Sequence, residues 1–276
     1  MQITGNTIFI PGGTRGIGAA LAVRLADRGN IVIVGGRRPE SAPAHPRIHA
    51  VALDTSDAAS IERASAEVIA AHPDVNVLIA MAGIMRAEDW TRRDGFLATA
   101  EEIVTMNVLG PIRLIAGFVE HLRTRADATI MTVSSGLAFA PLRVTPTYNA
   151  SKAAMHMLSE SLRLQLAGTS VRVQELVPPA VQTDLMPGHA ENPTAMPLDA
   201  FADEVIALIE ADPEAHEIQV ERVGFLRYGE ARGDYAQVVQ ALNASDPHAN
   251  RAADRASLGE DPGEGLRATA GTRAGA

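Results

Sequence analysis

The sequence predicts a single α/β domain in which helices cover both faces of a parallel β-sheet. Short apolar runs rich in Val, Ile and Thr alternate along the chain with longer segments of helical period. Strands that are apolar throughout are typical of a sheet buried on both faces, and their alternation with helices is typical of a doubly wound fold. With 276 residues, 46% of them hydrophobic and 21% charged, the chain also suits one large domain.

The alternation defines the elements in order. The predicted strands are Thr7–Pro11, Ile31–Val34, Ile48–Leu53, Val75–Met81, Thr129–Val133, Val171–Val177 and a short Glu217–Val220. The predicted helices are Gly16–Arg28, Ser56–Ala71, Ala98–Arg125, Tyr148–Leu166 and Leu198–Glu210. Together these elements predict one Rossmann-type domain, doubly wound, over residues 1–243.

The end of the chain has a different composition. Residues 244–276 are rich in Ala, Gly, Asp and Arg and contain almost no large apolar side chains. Such a segment cannot bury enough apolar surface to offset the conformational entropy lost on folding. We therefore expect a disordered C-terminal tail without a catalytic role.

Composition also excludes several classes of function. The chain has 0 Cys, which excludes thiolate nucleophiles, disulfides and cysteine-bound zinc. A net charge of −9 without a long basic run disfavours nucleic acid as a partner. No apolar run is long enough to span a membrane, and the first residues lack the pattern of a signal peptide. We expect a cytoplasmic protein with no membrane contact.

The basic residues are almost all arginines. Of the 24 basic residues only one, Lys152, is a lysine. A GC-rich coding sequence would account for the arginines, but it gives no reason for the exception. Because a lysine ammonium is compact and its pKa changes readily on burial, Lys152 is the first candidate for chemistry.

A glycine-rich loop follows the first predicted strand and opens the first predicted helix. Glycines at such a turn let the backbone approach a pyrophosphate, and the helix N-terminus offers free N–H donors. The alternative is a turn whose glycines serve only close packing. The residues expected to contact a dinucleotide here are Gly12, Thr14, Arg15, Gly16, Ile17 and Gly18.

The second strand ends in Gly35-Gly36-Arg37-Arg38, where NAD-selective folds commonly carry a carboxylate for the adenosine 2′-hydroxyl. Arginines at this place favour a 2′-phosphate, with Arg37 helped by Arg15 and Arg38. The alternative is solvated surface arginines and NAD(H) as cofactor. After the third strand, Asp54, followed by Thr55, is placed either to accept from the adenine amino group or to cap the next helix.

Tyr148 precedes Lys152 by four residues, so the two side chains share one face of the predicted helix. A free phenol has a pKa of about 10, and a neighbouring ammonium favours its ionised form. Tyr148 is therefore predicted to act as the general acid/base of a hydride transfer, protonating an alkoxide in reduction. The alternative is a packed tyrosine beside a solvated lysine.

Two further polar residues lie where the proposed chemistry needs them. Ser135 follows the fifth strand, at the sheet edge where doubly wound folds bind ligands, and its hydroxyl is placed to hold a substrate oxygen. Asn107 falls inside a predicted helix, although Asn is unfavourable there. A helix distortion that holds a water near Lys152 is the functional interpretation, and a satisfied polar core residue is the alternative.

Taken together, these residues resemble the short-chain dehydrogenase/reductase family from about Thr7 to Val220. The residues that carry the resemblance are Gly12-x3-Gly16-x-Gly18, Asn107, Ser135 and Tyr148-x3-Lys152. The resemblance implies a seven-stranded parallel sheet, a nicotinamide cofactor, and a tetrad in which Ser135 orients the carbonyl and Asn107 supports a water relay to Lys152. It also implies that Lys152 binds the ribose next to the nicotinamide. Val181 and Thr183 are implied to contact the carboxamide of the nicotinamide ring. Pro-Pro-Ala-Val-Gln-Thr-Asp-Leu and the segment after Val220 are similar to the DltE-like branch.

The chain departs from the family pattern at three places. Ala80-Met81-Ala82-Gly83 stands where Asn-Asn-Ala-Gly is usual. Backbone contacts from Ala82 and Gly83 to the adenosine are expected to remain, while the support that the two amides give to the sheet is expected to be lost. Pro11 replaces a threonine before the first loop glycine. Pro179 replaces a glycine after the sixth strand, which stiffens that loop.

The predicted function is an NADP(H)-dependent oxidoreductase that interconverts a secondary alcohol and a carbonyl. The alternatives are the same chemistry with NAD(H), and an NADP(H)-sensing regulatory protein without turnover. The substrate pocket is expected to be formed by the loop Asp184–Leu198 and residues near Ser135; the candidate residues are Leu137, Phe139, Arg143, Leu185, Met186 and Met196. A small-molecule alcohol or carbonyl is the expected partner, in a homodimer or homotetramer built on the two longest helices.

Overall fold

The structure, a computed structural model, describes residues 1–244 and contains one parallel sheet of seven strands. Its strands are β1 (Thr7–Pro11), β2 (Ile31–Gly36), β3 (Ile48–Ala52), β4 (Val77–Ala80), β5 (Ala128–Val133), β6 (Val171–Val177) and β7 (Glu217–Gln219). Their order across the sheet is β3-β2-β1-β4-β5-β6-β7. The predicted doubly wound parallel fold is confirmed. The predicted tail lies outside the described residues, except for Ala244, which ends the last helix.

Helices connect these strands and extend the chain beyond the last of them. They are α1 (Gly16–Asp27), α2 (Ala58–Ala71), α3 (Leu97–Val104), α4 (Gly110–Leu122), α5 (Pro146–Leu166), α6 (Leu198–Ala211), α7 (Gly224–Arg227), α8 (Gly229–Arg232) and α9 (Tyr235–Ala244). The prediction of one regular helix over Ala98–Arg125 is wrong, because a π-helical turn, Thr105–Leu109, separates α3 from α4. The helices after β7 were not predicted.

The core lies on both faces of the sheet, because successive residues of a strand point to opposite sides. In β1, Ile8 and Ile10 belong to the apolar cluster under α1 and α6, which also contains Leu21 and Phe201. Phe9 points the other way, into the cluster under α2 and α4. Both faces are thus covered, which explains why the strands lack polar alternation.

The order of the strands determines where a ligand can bind. From β1 the chain winds outward through β2 to β3, and it then returns to place β4 on the other side of β1. The carboxyl ends of β1 and β4 therefore border a crevice from which the connecting segments diverge in opposite directions. Open α/β sheets bind their ligands at such a crevice.

The helical stretch from Arg93 to Leu122 is long and apolar enough to cross a membrane, with a mean hydropathy of 1.4 over its most apolar window. Within this stretch Leu114, Phe118 and Leu122 are fully buried against the sheet. Packing inside the domain accounts for part of its apolar character, since 44% of that window is buried.

Candidate active site

A cavity of about 360 Å³ opens at the carboxyl ends of the strands. It is lined by all but one of the sequence-predicted site residues: Gly12, Thr14, Arg15, Gly16, Ile17, Gly18, Arg37, Arg38, Asp54, Thr55, Ala82, Gly83, Ser135, Tyr148, Lys152, Val181 and Thr183. The exception is Asn107, which lies behind the cavity wall. Residues scattered along 170 positions of sequence therefore share one site because the parallel sheet aligns the ends of its strands.

The loop after β1 is a cradle that only glycines can form. Gly12 has a φ of 86°, and a Cβ built on it would lie 2.8 Å from the Cα of Ala82. A Cβ on Gly18 would collide with the carbonyl oxygen of Gly12. Pro11 does not disturb the turn, since the Gly12 N–H still donates to the Gly35 carbonyl at 2.8 Å. The backbone is thus exposed to the cavity at the start of α1.

The N-terminus of α1 has no internal cap. Arg15 occupies the N-cap position without a capping hydrogen bond, and the first turn contains no acidic residue. The free N–H groups and the positive end of the helix dipole at this position suit an anionic phosphate. The glycine-rich loop after β1 and the uncapped N-terminus of α1 together fit the pyrophosphate of a dinucleotide.

Three arginines surround the part of the cavity that follows β2. Arg15, Arg37 and Arg38 are exposed, and none makes an ion pair within residues 1–244. A Cβ on Gly36 would lie 2.6 Å from Thr14 Oγ1, so Thr14 fills the space beside this glycine. The arrangement offers positive charge and no carboxylate at the end of β2.

Asp54 does not cap α2, because Asp57 takes that position and accepts from the Ala59 N–H at 3.0 Å. Instead, Asp54 Oδ1 accepts from the backbone N–H and the hydroxyl of Ser56, at 2.9 and 2.7 Å. These hydrogen bonds, with the charge of Arg37, lower the pKa of Asp54. The carboxylate is therefore ionised where it lines the cavity.

Ser135, Tyr148 and Lys152 meet at the opposite end of the crevice, where all three are buried. The Ser135 hydroxyl hydrogen-bonds to the Tyr148 phenol. Lys152 Nζ donates to the Val133 carbonyl oxygen at 2.9 Å and lies 5.6 Å from the centre of the tyrosine ring. One turn of α5 thus presents the phenol and the ammonium to the end of β5.

Burial changes the acidity of both groups. It raises the pKa of Tyr148 to about 12, although the hydrogen bond with Ser135 acts in the opposite direction. It lowers the pKa of Lys152 to about 8, against the charge of Glu175. Desolvation outweighs the hydrogen bond from Ser135, so the net effect of the protein is a raised phenol pKa, and the lowering of that pKa by Lys152 stays a prediction. At neutral pH the phenol is protonated and Lys152 is an ammonium.

Asn107 lies in the π-helical turn, so the predicted helix distortion is present. Its Oδ1 accepts from the Ile84 N–H at 2.9 Å, and its Nδ2 donates to the Ile84 carbonyl at 2.9 Å and to Ser151 Oγ at 3.1 Å. The side chain is therefore also a fully satisfied core residue, and it contacts Lys152 in none of these bonds. It joins the segment after β4 to α5.

The replaced amides after β4 do not interrupt the sheet. Residues Val77 to Ala80 remain in parallel register with β5, and β4 also pairs with β1. A Cβ on Gly83 would lie 3.2 Å from Asn107 Oδ1. Close packing against Asn107 thus orders this segment.

The loop after β6 closes the crevice over the start of α1. A Cβ on Gly16 would lie 3.7 Å from Thr183 Cγ2. The Met196 N–H donates to the Ala180 carbonyl at 2.8 Å, and the Met196 carbonyl accepts from the Gln182 N–H at 2.9 Å. The predicted substrate loop is therefore fastened at both ends.

The remaining wall of the cavity is mostly apolar, with Asp184 and His189 as polar members. Its large aliphatic side chains come from several elements and are Met85, Leu137, Leu142, Leu185, Leu226 and Leu242. Of the sequence-predicted pocket residues, only Leu137 and Leu185 line this cavity; Phe139, Arg143, Met186 and Met196 do not. Phe139 instead packs edge-on against the ring of His156, and Met196 packs in the core under α6.

The sequence analysis missed the contribution of the last helices. Leu226 and Leu242 follow β7 and return to the cavity through α7 and α9. Asn243 holds α9 in place, because it accepts from the Arg143 N–H at 2.7 Å and donates to the Pro141 carbonyl at 3.0 Å. The apolar spacing of Val238 and Leu242 was the only local signal for this wall.

Comparison with known proteins assigns the fold and the site to a family. The model of the short chain dehydrogenase family matches residues 6–193. The chain is 35% identical over 252 residues to "Uncharacterized oxidoreductase DltE" of Bacillus subtilis, covering 89% of this chain and 100% of the relative.

Solved structures agree. A short chain dehydrogenase from Burkholderia cenocepacia in complex with NADP superposes with a TM-score of 0.75 at 26% identity, covering 87% of this chain and 99% of that one. An alcohol dehydrogenase from Thermococcus sibiricus complexed with 5-hydroxy-NADP has a TM-score of 0.67 at 23% identity, with 78% and 96% covered, and shares the fold. The chain belongs to the short-chain dehydrogenase/reductase family, and it is an oxidoreductase that acts on CH–OH groups with NAD(P).

Proposed function

We propose that this enzyme is an NADP(H)-dependent reductase of apolar ketones, with Tyr148 as the proton donor. The observation that carries the proposal is a buried phenol, hydrogen-bonded to Ser135, at the apolar end of a cavity whose other end is a glycine cradle surrounded by arginines. When bound, the nicotinamide cofactor supplies or accepts the hydride.

The protein side chains then divide the remaining work. The Ser135 hydroxyl is placed to donate to a carbonyl oxygen, and the protonated Tyr148 phenol gives that oxygen its proton as the alkoxide forms. A pKa of about 12 keeps the phenol protonated at neutral pH, which favours reduction. Lys152, buried one turn further along α5, supplies a positive charge that stabilises the phenolate left behind.

The choice of NADP(H) over NAD(H) rests on charge at the end of β2. Arg37, Arg38 and Arg15 form no ion pair within the described part of the chain, although the charge of Arg37 acts on Asp54, and a 2′-phosphate would provide an anionic partner. Gly36 leaves no carboxylate to accept from a 2′-hydroxyl. The Burkholderia structure, which was solved with NADP, is consistent with this choice.

The proposed substrate is an uncharged apolar carbonyl compound. The wall beyond Tyr148 is built mainly from leucine and methionine side chains. Asp184 and His189 are its polar members, and it contains no lysine or arginine that could hold a carboxylate or phosphate. An apolar pocket favours ligands by burial of their apolar surface. Charged carbonyl compounds would lose their hydration at this wall without a counter-charge.

NADPH oxidation over a panel of apolar and charged ketones tests the reaction. We expect turnover of apolar ketones that falls by at least about 10³-fold in Tyr148→Phe, since the phenol hydroxyl is the proton donor. NADPH binding, measured by fluorescence titration, should be retained in that variant. Turnover that does not depend on Tyr148, or that prefers charged ketones, would contradict the proposal.

The cofactor preference has its own test. Arg37→Asp should weaken NADPH binding by about 10- to 100-fold, the value of one charge-assisted contact, and should not weaken NADH binding. Arg93→Asp makes the same charge change at an exposed arginine outside the cavity and should leave both affinities unchanged. Equal NADPH affinity in wild type and Arg37→Asp would refute the role of Arg37.

We also propose that the enzyme is cytoplasmic and forms a homodimer or homotetramer through α4 and α5. The outer faces of these helices and of the π-helical turn expose apolar side chains: Leu109, Ile112, Met157 and Leu164. Light scattering after size exclusion should show an oligomer that Met157→Glu dissociates, whereas Phe225→Glu on α7 should not. An oligomer that survives Met157→Glu would place the interface elsewhere.

A further inference from the structure

A second carboxylate lies beneath the reacting groups, and the reaction described above does not use it. Glu175 stands in the middle of β6, where its side chain is 0% exposed. In the sheet it is paired with Thr132 of β5 on one side and with Glu217 of β7 on the other. An ionised carboxylate is costly to bury unless charged and hydrogen-bonded partners surround it.

The hydrogen bonds of Glu175 lead directly to the reacting residues. Ser134 Oγ donates to Glu175 Oε1, and His156 Nδ1 lies 2.9 Å from Oε2. Ser134 stands between Val133, whose carbonyl accepts from Lys152 Nζ, and Ser135, which bonds to Tyr148. Glu175 is therefore hydrogen-bonded to Ser134, the middle one of three consecutive residues. The residue before Ser134 holds the Lys152 ammonium, and the residue after it holds the Tyr148 phenol.

The surrounding charges single out Glu175 among the carboxylates of its cluster. Glu217, from β7, binds Arg227 of α7 through two hydrogen bonds of 2.9 and 2.8 Å. Glu160, from α5, binds Arg163 at 2.6 Å. Glu175 is instead hydrogen-bonded to the His156 ring, and its negative charge acts on Lys152 of α5 and on Arg227 of α7.

This pairing also argues against a metal ion in the cluster. Ligand atoms of His156, Glu160, Glu175 and Glu217 lie within 4.8 Å of one another. Arginines already neutralise two of the three carboxylates, and the third is bonded to Ser134 and His156. The cluster is thus two Arg–Glu ion pairs beside one buried carboxylate, whose charge acts on Lys152 and on Arg227.

We propose that Glu175 is a positioning residue for the reaction, which holds the end of β5 through Ser134 and keeps Lys152 in its ammonium form through its negative charge. The kinetic part of this proposal rests on the proposed function, whereas the electrostatic part does not. Burial lowers the pKa of Lys152 to about 8, and the charge of Glu175 opposes that effect. Without Glu175, Lys152 would lose its proton near physiological pH.

Because Lys152 is the only lysine in the sequence, its pKa can be measured directly. Protein labelled with ¹³C at the lysine Cε gives one lysine resonance, which can be titrated in the cofactor-free protein by NMR. In Glu175→Gln, which keeps the shape of the side chain, we expect this pKa to fall by about one pH unit. Glu160→Gln makes the same change at a half-exposed member of the cluster and should leave the pKa of Lys152 unchanged.

Ser134→Ala provides a second, milder variant. Burial raises the pKa of Glu175, and the hydrogen bond from Ser134 opposes that rise, so the loss of this hydrogen bond weakens the negative charge. The pKa of Lys152 should then fall in the same direction as in Glu175→Gln, but by less. If Glu175→Gln does not fold, Ser134→Ala tests the coupling between Glu175 and Lys152 in its place. An unchanged Lys152 pKa in whichever of the two variants folds overturns the proposal.

Kinetics test the positioning role separately. In Glu175→Gln the alkaline limb of kcat should move to lower pH together with the Lys152 pKa, while KM for the ketone stays within about twofold. A loss of kcat that is equal at every pH would indicate a structural role only and overturn the proposal. If wild type shows no turnover that depends on Tyr148, the proposed function fails, and the NMR titration still decides the charge coupling.

Discussion

Replacing Lys152 by methionine should make the folded protein more stable at neutral pH while it abolishes activity. Burial lowers the pKa of Lys152 from 10.5 to about 8. At about 1.4 kcal/mol for each pH unit, the buried ammonium destabilises the folded state by about 3 kcal/mol. The lost hydrogen bond to the Val133 carbonyl offsets about 1 kcal/mol of this. A net gain of about 2 kcal/mol is therefore expected for Lys152→Met.

The gain should depend on pH in a defined direction. Below pH 8 the lysine is charged in both the folded and the unfolded chain, so the wild type bears the full penalty. Between about 8 and 10.5 the folded protein loses its proton first, and the unfolding free energy of wild type rises with pH. Above that range both states are neutral and the penalty disappears. The advantage of Lys152→Met should therefore shrink from pH 7 to pH 10.5.

Urea unfolding followed by circular dichroism, at pH 7 and at pH 10.5 and at fixed protein concentration, measures both quantities. Lys152→Arg is the matched control, because a guanidinium stays charged over this range. The difference in unfolding free energy between Lys152→Arg and Lys152→Met should therefore be the same at pH 7 and pH 10.5. A methionine variant that is less stable than wild type at pH 7, or a difference that is the same at both pH values, would refute the assigned cost of the buried ammonium.

Three further predictions concern the cradle, the π-helical turn and the last helix. Gly12→Ala should weaken NADPH binding more than 10-fold by fluorescence titration, because a methyl group would collide with the neighbouring backbone; Gly29→Ala, with a similar φ of 88° and open space around it, should not. Asn107→Ala leaves both backbone groups of Ile84 unpaired and should lower the unfolding free energy in urea by about 2 to 4 kcal/mol; a loss below about 1 kcal/mol would contradict this. Asn243→Ala should raise KM for apolar ketones several-fold without changing the Kd for NADPH, and a change in NADPH affinity instead would show that α9 acts on the cradle.

The strands were predictable where burial alone determines them. β1 and β6 have the predicted bounds, because nearly every residue of both strands is buried, although β6 also contains Arg172, Gln174 and Glu175. β2 continues through Gly35 and Gly36, which no hydrophobic pattern indicates, because their backbone pairs with β3. Pairing of this kind depends on the neighbouring strand and is invisible in a local stretch of sequence.

The site was predictable where its chemistry is local. The loop after β1 and the pair Tyr148 and Lys152 each lie within one turn or one loop, so their spacing carries the information. Leu226 and Leu242 could not be predicted, because they reach the cavity only through the path of the chain after β7. The rise in the Tyr148 pKa could not be predicted, because it depends on how completely the folded protein excludes water from the phenol.

The position of α9 separates substrate range from cofactor use, two properties that could otherwise be altered only together. Its Leu242 forms part of the substrate wall, and its Asn243 fastens it to the loop at Pro141, while the cradle and the reacting residues lie on other elements. Substitutions in this last helix can therefore change which ketone fits without touching the hydride chemistry. For protein engineering, a library confined to residues 235–244 would explore substrate range at little risk to cofactor use, and any truncation needs to leave Asn243 in place.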